Sequence, residues 1–175
     1  MDLSIIPECY VDTNLMETIV LPREKNNHQK GCGTVAKVMK EKFTDSFALG
    51  IIDEDKNELD YLGEFTAVCT KGSLTLHKHQ TKHHYIIQIS PAIEQFILLA
   101  VAYAKLDLAD YDLPNTLQTL SKVTKSTNSK DDERFKRLFR DLKKSEATEL
   151  GLVSAWLTYL KENRYNIDLD IVREL

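Results

Sequence analysis

Four carboxylates stand where strands can end. Glu8 closes the apolar stretch Leu3-Ser4-Ile5-Ile6-Pro7. Asp53 and Asp55 follow Phe47-Ala48-Leu49-Gly50-Ile51-Ile52, and Glu94 comes shortly after Tyr85-Ile86-Ile87-Gln88-Ile89. Carboxylate oxygens are hard donors, and three or four on one edge suit Mg²⁺ or Mn²⁺ and, with it, phosphate chemistry. Within Asp53-Glu54-Asp55 the two aspartates project to one side while the backbone stays extended, and Glu54 faces away. Glu94 can complete a metal shell or orient a water. Taken singly, an acidic residue after a strand reads as well as a helix cap or turn former. The joint spacing, a Glu at one strand end and an Asp-x-Asp 45 residues later with a helical crossover between, is what singles this set out.

The surrounding chain predicts elements able to hold such an edge. Leu3 to Pro7 reads as a strand, and Asp12 or Thr13 as the cap of a helix over Asn14 to Val20. A polar loop from Pro22 to Gly33 precedes a helix from Thr34 to about Phe43, with Val35, Val38, Met39 and Phe43 on one stripe. The run from Phe47 to Ile52 is continuously apolar, as expected for a strand covered on both faces. A short helix near Leu59 to Phe65 and strands at Ala67–Thr70, Leu74–His77 and Tyr85–Ile89 follow, and Pro91 suits the first turn of a helix reaching about Lys105. Beyond Pro114 only helical stripes remain, carried by Leu117/Leu120/Val123, by Phe135/Leu138/Phe139/Leu142 and by Leu150/Val153/Leu157/Leu160. The expected fold is α/β, a mostly parallel sheet flanked by helices over residues 1–112, with a helical C-terminal section over 113–175 packed on it.

At this point the sequence resembles the Toprim domain. The matching residues are Ile5-Ile6-Pro7-Glu8-Cys9 and Ala48-Leu49-Gly50-Ile51-Ile52-Asp53-Glu54-Asp55, and the stretch from Tyr85 to Phe96 is similar to the strand and acidic helix of small stand-alone Toprim and OLD-nuclease-like proteins of bacterial defence systems. The resemblance covers roughly residues 3 to 106. It departs from the family where Cys9 and Tyr10, rather than a glycine, follow the motif glutamate. It implies a Mg²⁺- or Mn²⁺-dependent nuclease that hydrolyses DNA or RNA, with Asp53, Asp55 and Glu94 as metal ligands and Glu8 as ligand or general base. Lys56 is the nearest cation for developing charge. An ATPase partner and a role in anti-phage defence are implied by the resemblance alone. The alternative is a non-catalytic Toprim-like or receiver-like module whose acidic edge binds metal or a partner.

Other segments bear on the substrate. His77, His79, His83 and His84 fall within eight residues, beside Lys78 and Lys82. They read as a solvated hairpin tip, as a phosphate contact through His79 and His83, or as a zinc site built on His77 and His79. Gln29 to Thr34 places glycines at a helix start but lacks the P-loop spacing, so nucleotide hydrolysis is not supported. The chain has 175 residues, 42% of them hydrophobic, and three cysteines without CxxC spacing, which excludes collagen-like, disulfide-rich and wholly disordered classes. With no basic leader and no long apolar run, the expectation is a cytoplasmic protein without a membrane segment. Its net charge of −4 argues at first against nucleic acid. That average conceals an asymmetry. Lys122 to Lys144 holds nine basic against four acidic residues, a surplus of five, so the rest of the chain carries −9. Lys125, Arg134, Arg137 and Arg140 in this segment are the candidate phosphate contacts.

Overall fold

Ile5–Pro7 (β1) and Ala48–Asp53 (β2) run side by side and parallel, with Ile5 opposite Leu49 and Pro7 opposite Ile51. β2 in turn pairs in parallel with His84–Ile89 (β5), Asp53 lying opposite Ile89. On the far side of β5 come Leu74–His79 (β4) and then Phe65–Lys71 (β3), both pairings antiparallel, giving the order β1-β2-β5-β4-β3. The protein is thus α/β with a mixed sheet, and the expectation of a mostly parallel sheet is corrected. The reason lies in the connections. Parallel neighbours need a crossover of a dozen residues or more, whereas β3 and β4 are joined only by Gly72-Ser73. Gly72 sits at φ +59, the left-handed region that such a tight turn demands. This computed structural model describes residues 2–20, 24–54, 59–145 and 148–175, with Thr148 by its backbone alone.

Alternation along the strands divides the core in two. Ile5, Leu49, Ile51, Leu76, Tyr85, Ile87 and Ile89 face one layer, with Tyr10–Ile19 (α1), Ile93–Ala104 (α3), Glu133–Lys144 (α5) and Thr148–Asn163 (α6) contributing to it. Ile6, Ala48, Ile52 and Ile86 face the other, covered by Cys32–Val38 (α2), the π-helical turn Met39–Phe43 and the 3-10 turn Asp60–Glu64. Gly50 lets these layers approach closely: a Cβ would stand 3.0 Å from Val35 Cγ1 and 3.1 Å from Met39 Sδ, so both side chains would have to shift by a few tenths of an ångström. The C-terminal helices belong to the first layer. α5 buries Phe135, Leu138, Phe139 and Leu142, each contributing about 1.5–3 kcal/mol relative to exposure. Among the described residues no helix is long and apolar enough to cross a membrane.

Several element starts differ from expectation. α1 begins at Tyr10, capped by Cys9 rather than by Asp12 or Thr13, because the Cys9 sulfur accepts the Asp12 amide. The helix expected from Thr34 begins at Cys32 and ends in the π-helical turn. β2 extends through Asp53, so this residue ends the strand instead of following it. Pro91 lies before α3, after a cis Ser90–Pro91 bond, and Asp53 Oδ1 accepts the amide of Ile93, the first residue of α3.

Candidate functional site

The free edge of β1 is zipped to an extended segment: the Asp2 amide donates to Lys25, Asn27 to Ile5 and Gln29 to Pro7 carbonyls. This edge protection carries the chain past Glu8, whose own carbonyl accepts from Gly31 at 3.3 Å. Glu8 therefore emerges at the carboxyl end of β1, its amide bonded to Ile51 of β2, and its Oε2 accepts the Asp53 amide at 3.0 Å. Asp53 Oδ1 reaches across to Ile93 at 2.9 Å and draws the start of α3 against the strand end. In the first turn of that helix, Glu94 is 7% exposed and its Oε1 accepts from Thr124 Oγ1 at 2.5 Å.

A fourth carboxylate joins them. Asp12 in the first turn of α1 is fully buried; its Oδ2 accepts the Cys9 amide at 3.1 Å, while its Oδ1 has no hydrogen-bond partner among the described residues. Sequence reasoning missed it as a site residue by reading it as a cap. The available signal was its place on the stripe with Leu15, Met16 and Ile19, where a charge is out of character.

Like charges and burial dominate the electrostatics. Burial, and then the carboxylates of Asp12, Glu8 and Glu94, push the Asp53 carboxyl up to about 9 against the pull of the Ile93 amide. Asp12 is raised to about 7, chiefly by burial, with Glu8 and Glu94 adding to it. Burial also holds the Cys9 thiol well above its ordinary value, so this cysteine is no thiolate nucleophile. Such a pocket is protonated in part until a cation neutralises it.

Among the described residues no group of three or more His, Cys, Asp or Glu is placed to hold one metal ion as the side chains stand. Glu8 Oε2 and Asp53 Oδ1 are turned toward backbone amides, and Asp55 and Lys56 lie outside the described residues. In kind, the donors fit a hard divalent cation: oxygen ligands only, of one charge sign, with a buried carboxylate oxygen left unsatisfied. A cation there would compete with the backbone amides for Glu8 Oε2 and Asp53 Oδ1.

The remaining sequence candidates are dispersed. His79 is 3% exposed: its Nδ1 accepts the amides of Thr81 and Lys82, so Nε2 carries the proton and donates to Glu64 at 3.1 Å. His77 bonds Gln88, and His84 is buried against the Tyr61 hydroxyl, whereas His83 is exposed with its ring edge-on to Tyr165. On α5, Arg134 pairs with Asp132, Arg137 with Asp112 at 3.5 Å and Arg140 with Glu133 at 3.9 Å. Asp132 and Glu133 are already counted in the surplus of five over Lys122 to Lys144, so of these three partners only Asp112 offsets it from outside that segment. Lys125, exposed at the end of Leu117–Thr124 (α4), directly follows the residue that holds Glu94. His28 stacks on Tyr10, two residues after Glu8 in the chain, with ring centroids 4.2 Å apart.

No protein-family model matches the chain, nor does any curated protein or solved structure with which it was compared.

Proposed function

We propose that the protein is a Toprim-like nuclease, dependent on Mg²⁺ or Mn²⁺, that hydrolyses phosphodiesters of DNA or RNA at the edge formed by Glu8, Asp12, Asp53 and Glu94. The observation that carries this reading is the pair of half-buried carboxylates, Glu8 and Asp53, at the ends of two parallel strands, gathered with the buried helical carboxylates Asp12 and Glu94, Asp12 Oδ1 being unsatisfied. Carboxylates beyond adjacent parallel strands occupy the place where open α/β sheets bind ligands. Asp53 and Glu94 would hold the cation together with Asp55, and Glu8 would serve as ligand or as proton acceptor once released from the Asp53 amide. The bound ion would supply Lewis acidity and shield the substrate phosphate from these carboxylates. Lys125 stands where a phosphate could approach from the α4 side, and Lys56 remains the expected partner for developing charge. An ATPase partner, a defence role and a cytoplasmic setting rest on the family resemblance alone.

One observation favours a second reading, a non-catalytic module binding metal or a partner through its acidic edge: Glu8 and Asp53 already serve as backbone caps. Incubation of the purified protein with single- and double-stranded DNA and RNA, with Mg²⁺ or Mn²⁺ against EDTA, separates the two. Metal-dependent cleavage lost in both Glu8→Gln and Asp53→Asn supports the nuclease. Cleavage that survives both substitutions places the chemistry elsewhere, and Mn²⁺ binding without cleavage of any substrate favours the module.

A further inference from the structure

Glu94 is held in place from outside the sheet. Thr124, the last residue of α4, is 1% exposed, and its hydroxyl has two acceptors: Glu94 Oε1 at 2.5 Å and the Ser121 carbonyl at 3.2 Å. One hydroxyl carries one proton, and the nearer acceptor, the Glu94 carboxyl oxygen, takes it. The Thr124 carbonyl in turn accepts from Ser129 Oγ at 2.7 Å, and the Ser129 carbonyl accepts from Asn14 Nδ2 at 2.8 Å. Asn14 is fully buried on α1, two residues after Asp12, and its Nδ2 also reaches the Asp132 carbonyl at 3.1 Å. A continuous buried chain of hydrogen bonds therefore leads from the helix that carries Asp12 to the helix that carries Glu94, through the segment from α4 to residue 132.

We propose that Thr124 is a positioning residue for the divalent cation: it occupies Glu94 Oε1, leaves Oε2 as the oxygen for the ion, and so makes the segment 117–132 part of the site. This rests on the metal reading given above. Glu94 shares its pocket with carboxylates that repel it, and a glutamate has three side-chain torsions by which to turn away. The Thr124 hydroxyl opposes that rotation. It does so from a helix end fixed by Ser129 and Asn14, rather than from a mobile surface side chain. The segment that reads from sequence as a basic appendage thereby acquires a structural task at the acidic edge.

The test is Mn²⁺ affinity, read by titration with electron paramagnetic resonance detection of free ion, so that no cleavage assay is needed. Thr124→Val keeps the shape and removes the hydroxyl, and is expected to weaken Mn²⁺ binding about tenfold, the low end for residues that orient a metal ligand. Thr124→Ser restores the hydroxyl and is expected to stay within about twofold of the wild type. In a Glu94→Gln background, Thr124→Val should cost nothing further, because Thr124 acts only through Glu94. The proposal is overturned if folded Thr124→Val binds Mn²⁺ like the wild type, or if its effect adds in full to that of Glu94→Gln. Asp53→Asn separates the two levels. Should Asp53→Asn lose Mn²⁺ while Thr124→Val keeps it, the metal site stands and the role of Thr124 falls. If the wild type itself binds no Mn²⁺, both fall together.

Discussion

Glu8 and Asp53, 45 residues apart, are joined by a hydrogen bond in which the carboxylate of one accepts the backbone amide of the other at 3.0 Å. The contact fixes the end of β1 against the end of β2 and places two acidic side chains in one pocket. It also means that the folded protein tolerates charge repulsion which it could relieve by holding protons. Asp53→Asn tests this directly. Asparagine keeps an oxygen for the Ile93 amide and removes a carboxyl that burial and its neighbours hold near 9. The metal-free variant is expected to melt several degrees higher than the wild type at pH 8, and to lose the rise in Tm that Mn²⁺ gives the wild type. A variant that melts lower without metal would show that Asp53 is paired with a cation.

The same carboxyls set the sign of the pH dependence. Asp53 and Asp12 titrate near 9 and near 7 in the folded chain, against ordinary values of 3.8. Between these limits the folded state binds more protons than the unfolded one, so their contribution to stability is complete below about pH 4 and is lost as pH rises. For Asp12 the loss runs up through about pH 7, and for Asp53 up through about pH 9. Denaturant unfolding in EDTA should therefore show stability falling from pH 6 to pH 9, the reverse of a protein whose carboxylates are ion-paired. Mn²⁺ competes with these protons, so its affinity should rise over the same window and its binding should release protons. Calorimetry in two buffers of different ionisation enthalpy measures that release. Stability independent of pH in this range would contradict the shared pocket.

Much of this edge was legible in the sequence because its strands are apolar runs bounded by polar residues. Glu8, Asp53 and Glu94 could be placed at their ends on that ground alone. Sheet direction was not legible from the same runs. β5 is buried on nearly its whole length and looks alike with parallel or antiparallel neighbours; the short links carry that information, Gly72-Ser73 between β3 and β4 and the four residues 80–83 between β4 and β5. Asp12 escaped because a cysteine cap is an uncommon signal and Asp12 itself is a good cap residue. Thr124 escaped for a different reason. Nothing local marks a threonine in an amphipathic helix as the partner of a glutamate 30 residues earlier. The charge of α5 is legible as a sum, but its partial offset by Asp112 is not, because Asp112 is brought alongside Arg137 by the turn between α3 and α4.

The histidine segment divides into structural and surface members. His79 bonds Glu64 and two backbone amides from a buried position, and each of the two amides left unpaired costs about 1–3 kcal/mol if it stays dry. His79→Ala is expected to lose roughly 2–4 kcal/mol of unfolding free energy in urea, by this loss together with the cavity it leaves. His83→Ala, exposed beside Tyr165, should lose less than about 1 kcal/mol. If nucleic-acid affinity falls in His83→Ala at unchanged stability, the hairpin tip touches phosphate. Should Zn²⁺ raise the Tm of the wild type but not of His79→Ala, the segment is a metal site instead.

The basic face of α5 poses a question of competition. Arg137 faces Asp112 across 3.5 Å at an exposed position, and the half-buried Arg140, whose Nε has no hydrogen-bond partner among the described residues, faces Glu133 across 3.9 Å. Surface pairs of this kind are worth about 0–1 kcal/mol, so a phosphate backbone can exchange with the carboxylates at small cost. Removing the competitors is therefore more informative than removing the arginines, whose loss would also disturb packing along the helix. If α5 is a phosphate track, Asp112→Asn combined with Glu133→Gln should tighten binding of an oligonucleotide severalfold at about 50 mM salt and steepen the decline of affinity with salt. Arg137→Ala with Arg140→Ala should do the opposite, lowering the slope of log K against log salt by about two. Fluorescence anisotropy over a salt series reads both. If neither pair of substitutions changes the slope, α5 is a solvated face, and the nucleic acid, where it binds, must be met by Lys125 and the surface around the acidic edge.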